Sequence, residues 1–191
     1  IGHHFSYEIL GVTTGRDETE LKSLIHEGLK EGILALMGNG VVKFAHDRIQ
    51  QAVYAMIPPE ERGHIHLRVG RLLLENHPPE TNDEHLFDIV NQLNSGLDLI
   101  DDPAERARLC ALNLQAGRKA KQNSAFQPAF DYLRRGIELL EPDAWERQYD
   151  RTLALHTDAC EAAYLIGEFD QMETLVQTIL GRTRTILEKV K

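Results

Sequence analysis

The sequence predicts a mainly α-helical protein with one small β-hairpin near its N-terminal end. Three observations predict it. Apolar residues recur at i, i+3, i+4 and i+7 over most of the 191 residues, the spacing of one buried helix face. That period lapses around residues 33–44, where two β-prone runs flank Gly38-Asn39-Gly40, a composition that closes hairpins. Beyond residue 116 a pattern of small and aromatic residues recurs at an interval of 43, a sign of repeated helix pairs.

Residues 5–12 read as a short apolar helix closed by the turn residues TTGRD. Asp17-Glu18-Thr19-Glu20 opens the next helix, with acids in the first turn where the helix dipole favours them. Its apolar positions are Leu21, Leu24, Ile25 and Leu29, and Gly32 ends it. The runs ILAL (33–36) and VVKF (41–44) form the hairpin, the only credible sheet in the chain. From Asp47 the helical period returns, with Ile49, Ala52, Val53, Met56 and Ile57 on one face. Pro58-Pro59 breaks that helix, and Pro59 suits the first turn of the following one. That helix runs through IHLRVGRLLLE to His77-Pro78-Pro79. Two helices, a hairpin and a helix follow the order of a winged-helix unit, placed at residues 1–77.

After the linker PPETND the chain reads as helix over residues 84–100, 103–123, 125–140, 144–166 and 169–190. Ala116, Ala120, Phe126, Ala129 and Leu133 map onto Ala159, Ala163, Phe169, Met172 and Val176. In both copies small residues precede a turn, at Ser124 or Gly167, and an aromatic opens the partner helix. Small residues let two helices approach closely, as in tetratricopeptide-like (TPR-like) antiparallel helix pairs. Residues 78–191 are therefore expected to form an α-solenoid domain. A solenoid buries its core only against neighbouring repeats, so two copies imply further helices around them.

Composition narrows the function. A net charge of −9 argues against a general nucleic-acid binder, whose affinity comes from Lys and Arg on phosphates. No apolar run approaches the roughly 20 residues of a membrane helix. The start, IGHHFSYEIL, has neither a signal peptide nor an initiator Met, so a piece of a longer cytoplasmic chain is expected. Cys110 and Cys160 lie far apart within helical patterns and read as buried, reduced thiols.

The stretch FAHDRIQQAVYAMIPPEER, residues 44–62, carries the candidate chemistry in His46-Asp47. A metal phosphohydrolase of the HD type joins such a pair to an earlier His and a later Asp, for which His26 and Asp98 or Asp101 are available. Against it, His46-Asp47 falls between a strand and a helix rather than among packed helices. His64-x-His66 points two ways on a helix, about 200° apart, and neither HExxH nor clustered Cys is present. GxSxG and GxxxxGK[ST] are absent too. A DNA-reading role for the helix from Asp17 is disfavoured by Asp17, Glu18, Glu20, Glu27 and Glu31 against Lys22 and Lys30. No catalytic residue, metal or cofactor is expected in this chain by itself.

FAHDRIQQAVYAMIPPEERGHIHLRVGRLLLE resembles the winged-helix segment of STAND-type signalling ATPases, above all that of large bacterial hybrid kinases. LFDIVNQLNSGLDLI, LNLQAGRKAKQNSAFQPAFDYLRRGIELL and DAWERQYDRTLALHTDACEAAYLIGEF extend the resemblance over nearly the whole chain. It implies a Ser/Thr-kinase-like domain and an AAA-like ATPase before this region and a histidine kinase after it. The parent would bind ATP or ADP with Mg, and the partners of this fragment would be its own ATPase and kinase domains, with a protein partner possible on the helical repeats. In related STAND proteins a Met-His-Asp motif places its His on the β-phosphate of ADP. FAHD is similar, with Ala45 in the Met position, which makes His46 and Asp47 the candidate nucleotide-sensing contact. The implied role is regulatory and non-catalytic, relaying nucleotide state to the kinase output. A STAND transcription regulator or scaffold, and the HD-type phosphohydrolase, are the alternatives.

Overall fold

The computed structural model describes residues 4–6, 10–11, 14–37, 41–79 and 83–183. Their contacts divide the chain into two compact units, Ile1–Leu99 and Ile100–Lys191. The division falls further along than the linker at residues 78–83.

The first unit is built on a three-stranded antiparallel sheet ordered β1-β3-β2: β1 is His4–Ser6, β2 Leu34–Leu36 and β3 Val41–Phe44. The two runs predicted as strands pair with Leu36 opposite Val42 and Leu34 opposite Phe44. The Gly38-Asn39-Gly40 turn lies outside the described residues. The third strand corrects the sequence reading. Phe5 and Ser6 do not begin a helix; they pair with Val42 and Val41, while Leu10 and Gly11 are helical. A short apolar run cannot tell strand from helix by its period, and here a tertiary pairing decides.

Helix α1, Glu18–Lys30, starts as its sequence dictates. Asp17 Oδ1 accepts from the amides of Thr19 and Glu20 at 2.8 and 2.9 Å, satisfying two orphan donors of the first turn. Gly32, at φ +69, turns the chain out of the helix toward β2. Ile25 and Val42 form the core between α1 and the sheet, with Leu10, Leu29, Leu34 and Phe44 packed around them. Leu24, expected on the same face, is 47% exposed. Helix α2, Asp47–Ala55, and helix α3, Pro59–Asn76, follow, the latter with Pro59 in its first turn. Helix α4, Leu86–Ser95, packs on α3 and is followed by a 3-10 turn at Leu97–Leu99. A Cβ at Gly70 would sit 2.7 Å from Leu93 Cδ2, so glycine sets that approach.

The second unit contains α5, Pro103–Gln122; α6, Phe126–Glu138; α7, Ala144–Arg147; α8, Tyr149–Ile166; and α9, Phe169–Arg182. The helix expected over 144–166 is broken at Gln148, φ −133 and ψ 41. Thr152 Oγ1 spans the break, 3.2 Å from Ala144 O and 3.0 Å from Gln148 O. The last helix ends at Arg182, with Thr183 extended; the remainder of the stretch expected as helix, residues 184–190, lies outside the described residues.

The 43-residue interval reappears as geometry. Ser124 and Gly167 both adopt the left-handed conformation, at φ 58 and φ 80. Ala125 N donates to Ala120 O at 2.9 Å, and Glu168 N to Ala163 O at 2.9 Å. Ser124 N donates to Lys121 O, and Gly167 N to Tyr164 O. The two helical hairpins therefore close with the same pattern of terminal hydrogen bonds. Ala116, Ala120, Ala159 and Ala163 are all buried, as the close approach of paired helices requires.

His156, 5% exposed, packs its ring 4.9 Å from that of Trp145. Its Nδ1 donates to Thr152 O at 2.7 Å. Burial pushes its pKa below the ordinary 6.5, against the smaller raising effect of that hydrogen bond. The unfolded chain then binds a proton that the folded chain resists, so stability rises with pH. The stability is fully present above the unfolded value and is lost as pH falls from it toward the folded one. The thermal midpoint by circular dichroism is expected to drop between about pH 7 and about pH 5, with a shallower slope in His156→Gln. Equal slopes in the two proteins would contradict the burial argument.

Candidate functional site

Position 46 is where β3 hands over to α2. Ala45 N donates to Ile33 O at 2.9 Å and fixes the end of the strand. His46 then takes an extended conformation, φ −142 and ψ 144, at the N-cap of α2. Its carbonyl accepts from Ile49 N at 3.0 Å and Gln50 N at 3.3 Å. Its side chain makes no capping hydrogen bond and is exposed. Asp47, also exposed, is the acid of the first turn. The imidazole therefore stands beside the positive end of a nine-residue helix, where an anion is favoured. Among the described residues no three His, Cys, Asp or Glu side chains gather as a metal site, so His26, His46, Asp47 and Asp98 do not converge as the HD reading requires.

Next to this junction lies a cleft of about 190 Å³. Phe44, Val53, Ile57 and Ile65 give it apolar walls, and Gln50, Tyr54, Arg62 and His66 supply polar groups. The predicted apolar face of α2 is thus only partly covered: Val53 is 44% exposed and Met56 82%.

His66 is held from both sides. Its Nδ1 lies 2.7 Å from Gln92 Oε1, and its Nε2 lies 2.9 Å from Tyr54 Oη. The Gln92 oxygen can only accept, so Nδ1 carries the hydrogen. In the neutral ring Nε2 is then an acceptor, and the Tyr54 hydroxyl donates to it. This chain of hydrogen bonds joins α2, α3 and α4, and Gln92 is buried at its inner end. Arg62 Nε donates to Ile57 O at 3.0 Å, while its guanidinium lies 4.8 Å from the centre of the Tyr54 ring, within cation–π range.

His64 and His66 are separated as the helical spacing requires: His64 is exposed while His66 is bound into this chain. Sequence reasoning singled out His46 and Asp47 but not Tyr54, Arg62 or Gln92. The one signal for the cleft was the apolar face of α2, which does not say what faces it.

In the second unit a group of ion pairs links two helices. Arg118 Nε and Lys121 Nζ reach Asp158 at 2.7 and 2.6 Å, and Lys121 also reaches Glu161 at 2.6 Å, tying α5 to α8. Burial pulls the Lys121 ammonium down, but its bonds to Asp158 and Glu161 outweigh that and hold its pKa above the usual value. Cys110 is buried, and its Sγ donates to Gly136 O at 3.3 Å. Burial raises its pKa against the opposing charge of Arg151, which makes the thiol a poor nucleophile.

No protein-family model and no solved structure matches the chain. A curated protein of Dictyostelium discoideum, hybrid signal transduction histidine kinase G, is 28% identical over 165 residues, covering 74% of this chain. The chain spans 5% of that protein's length. No helix among the described residues is long and apolar enough to cross a membrane.

Proposed function

We propose that this chain is a non-catalytic regulatory module of a signalling ATPase–histidine kinase. Its first unit acts as a winged-helix docking module and its second as a TPR-like helical array. The observation that carries the reading is the similarity, across most of the chain, to a small part of a much longer hybrid histidine kinase. The three-stranded sheet with its flanking helices and the two matching helical hairpins are compatible with these assignments. In this reading the winged helix rests on an ATPase domain that binds ATP or ADP with Mg, and the array passes the nucleotide state to the kinase or to a protein partner. Nucleotide shifts such a switch only through a different affinity for its two states. His46, exposed at the N-terminus of α2, is the contact proposed to favour the ADP state, with Asp47 orienting it.

The coding region on either side of this chain tests the reading directly. A GxxxxGK[ST] motif before it and a histidine-kinase core after it are expected, and their absence would overturn it. His46→Ala, in the longer protein that includes the ATPase domain, is expected to speed ADP release about tenfold, the loss of one charge-assisted hydrogen bond to phosphate. An unchanged ADP off-rate would remove His46 from the mechanism.

A further inference from the structure

The geometry points to the cleft beside α2 and α3 as a binding site for a small amphipathic carboxylate with an aromatic ring or a branched aliphatic tail. Three observations carry this. First, Arg62 is the one cation among the described lining residues, and no carboxylate is among them. An acid that buried its tail there would meet a cation and no repelling charge.

Second, the guanidinium is held in place before any ligand arrives. Its Nε is committed to Ile57 O and its central carbon lies over the Tyr54 ring, 4.8 Å from the centroid. The two terminal nitrogens make no hydrogen bond or ion pair within the described residues, and their planar fork fits the two oxygens of a carboxylate. The Tyr54 hydroxyl is already engaged with His66 Nε2 at 2.9 Å. The carboxylate is therefore assigned to Arg62 and the tail to the wall formed by Phe44, Val53, Ile57 and Ile65.

Third, the volume selects the size. An apolar cavity of about 150 Å³ takes a benzene-sized guest, and this cleft measures about 190 Å³. One ring or a short branched chain fills it. His46 is not among the described lining residues, so the site is distinct from the proposed nucleotide contact.

Phenylacetate and its neutral isostere phenylacetamide test the assignment on the unaltered 191-residue chain, by following backbone amide resonances during titration. Phenylacetate is expected to shift the amides of Val53, Tyr54, Ile57 and Arg62 saturably, with a Kd of about 1 mM or tighter. Phenylacetamide should bind about tenfold more weakly, having lost the charge-assisted pair. Arg62→Gln should bring phenylacetate down to the amide's level, with Arg62→Lys in between. No saturable shift, or equal binding of acid and amide by the unaltered chain, would overturn the proposal and leave the cleft as an apolar face for another protein segment. The acid–amide comparison needs no variant, so it stands even if Arg62 is required for folding. A failed nucleotide contact at His46 would leave this result untouched.

Discussion

Leu133→Ala is expected to destabilise the second unit by about 2–5 kcal/mol. Leu133 is fully buried on α6, and its side chain lies over Gly117 of α5. A Cβ built at Gly117 would fall 2.5 Å from Leu133 Cγ and 2.8 Å from its Cδ2, closer than real atoms come. Gly117→Ala alone is therefore expected to cost about 1–3 kcal/mol through overpacking, less the ~1 kcal/mol by which alanine favours a helix over glycine. The two changes should not add. The methyl group at 117 would occupy space that Leu133→Ala vacates, so the double variant should be less destabilised than the sum by about 1–2 kcal/mol. Urea unfolding of the four proteins, followed by circular dichroism, measures that coupling. Strict additivity would mean that α5 and α6 do not meet at this glycine.

Val42→Asp should be as damaging to the first unit. Val42 is the fully buried residue of the central strand, opposite Phe5 on one side and Leu36 on the other. A carboxylate there would be set against the apolar side chains of Ile25, Leu10, Leu29, Leu34 and Phe44, and burying a charge without a partner costs on the order of 4 kcal/mol. Val42→Ile, which keeps the apolar character, should cost under about 1.5 kcal/mol. Amide hydrogen exchange reads the result: protection in β3 and α1 should collapse in Val42→Asp and persist in Val42→Ile. Protection retained in the aspartate variant would displace Val42 from the core.

What the sequence reveals of this molecule follows the range of the forces involved. Asp17, Gly32, Pro59 and Gly167 act on their own few residues, so the helix ends they set can be read directly. The hairpin strands are legible for the same reason, since period and turn composition are local. β1 is not, because three residues become a strand only by pairing with Val41–Lys43 far along the chain. The break at Gln148 carries neither Gly nor Pro and is set by packing and by the Thr152 hydroxyl. The match between Ser124 and Gly167 was visible as a turn in each copy, but not that serine would take a left-handed conformation. The His46-Asp47 junction was placed correctly between strand and helix. The cleft was not visible, since Tyr54, His66 and Gln92 meet only when three helices are assembled.

The strand order gives the first unit a mechanical grain. His4 pairs with Lys43 and Ser6 with Val41, so the leading end of β1 lies beside the trailing end of β3. Hydrogen bonds in an antiparallel pair run across the strands. Tension applied to the chain before His4 and resisted after Phe44 would load those bonds one at a time, like a zip, rather than all together in shear. The sheet would yield there at low force, and the strain would arrive within a few residues of His46.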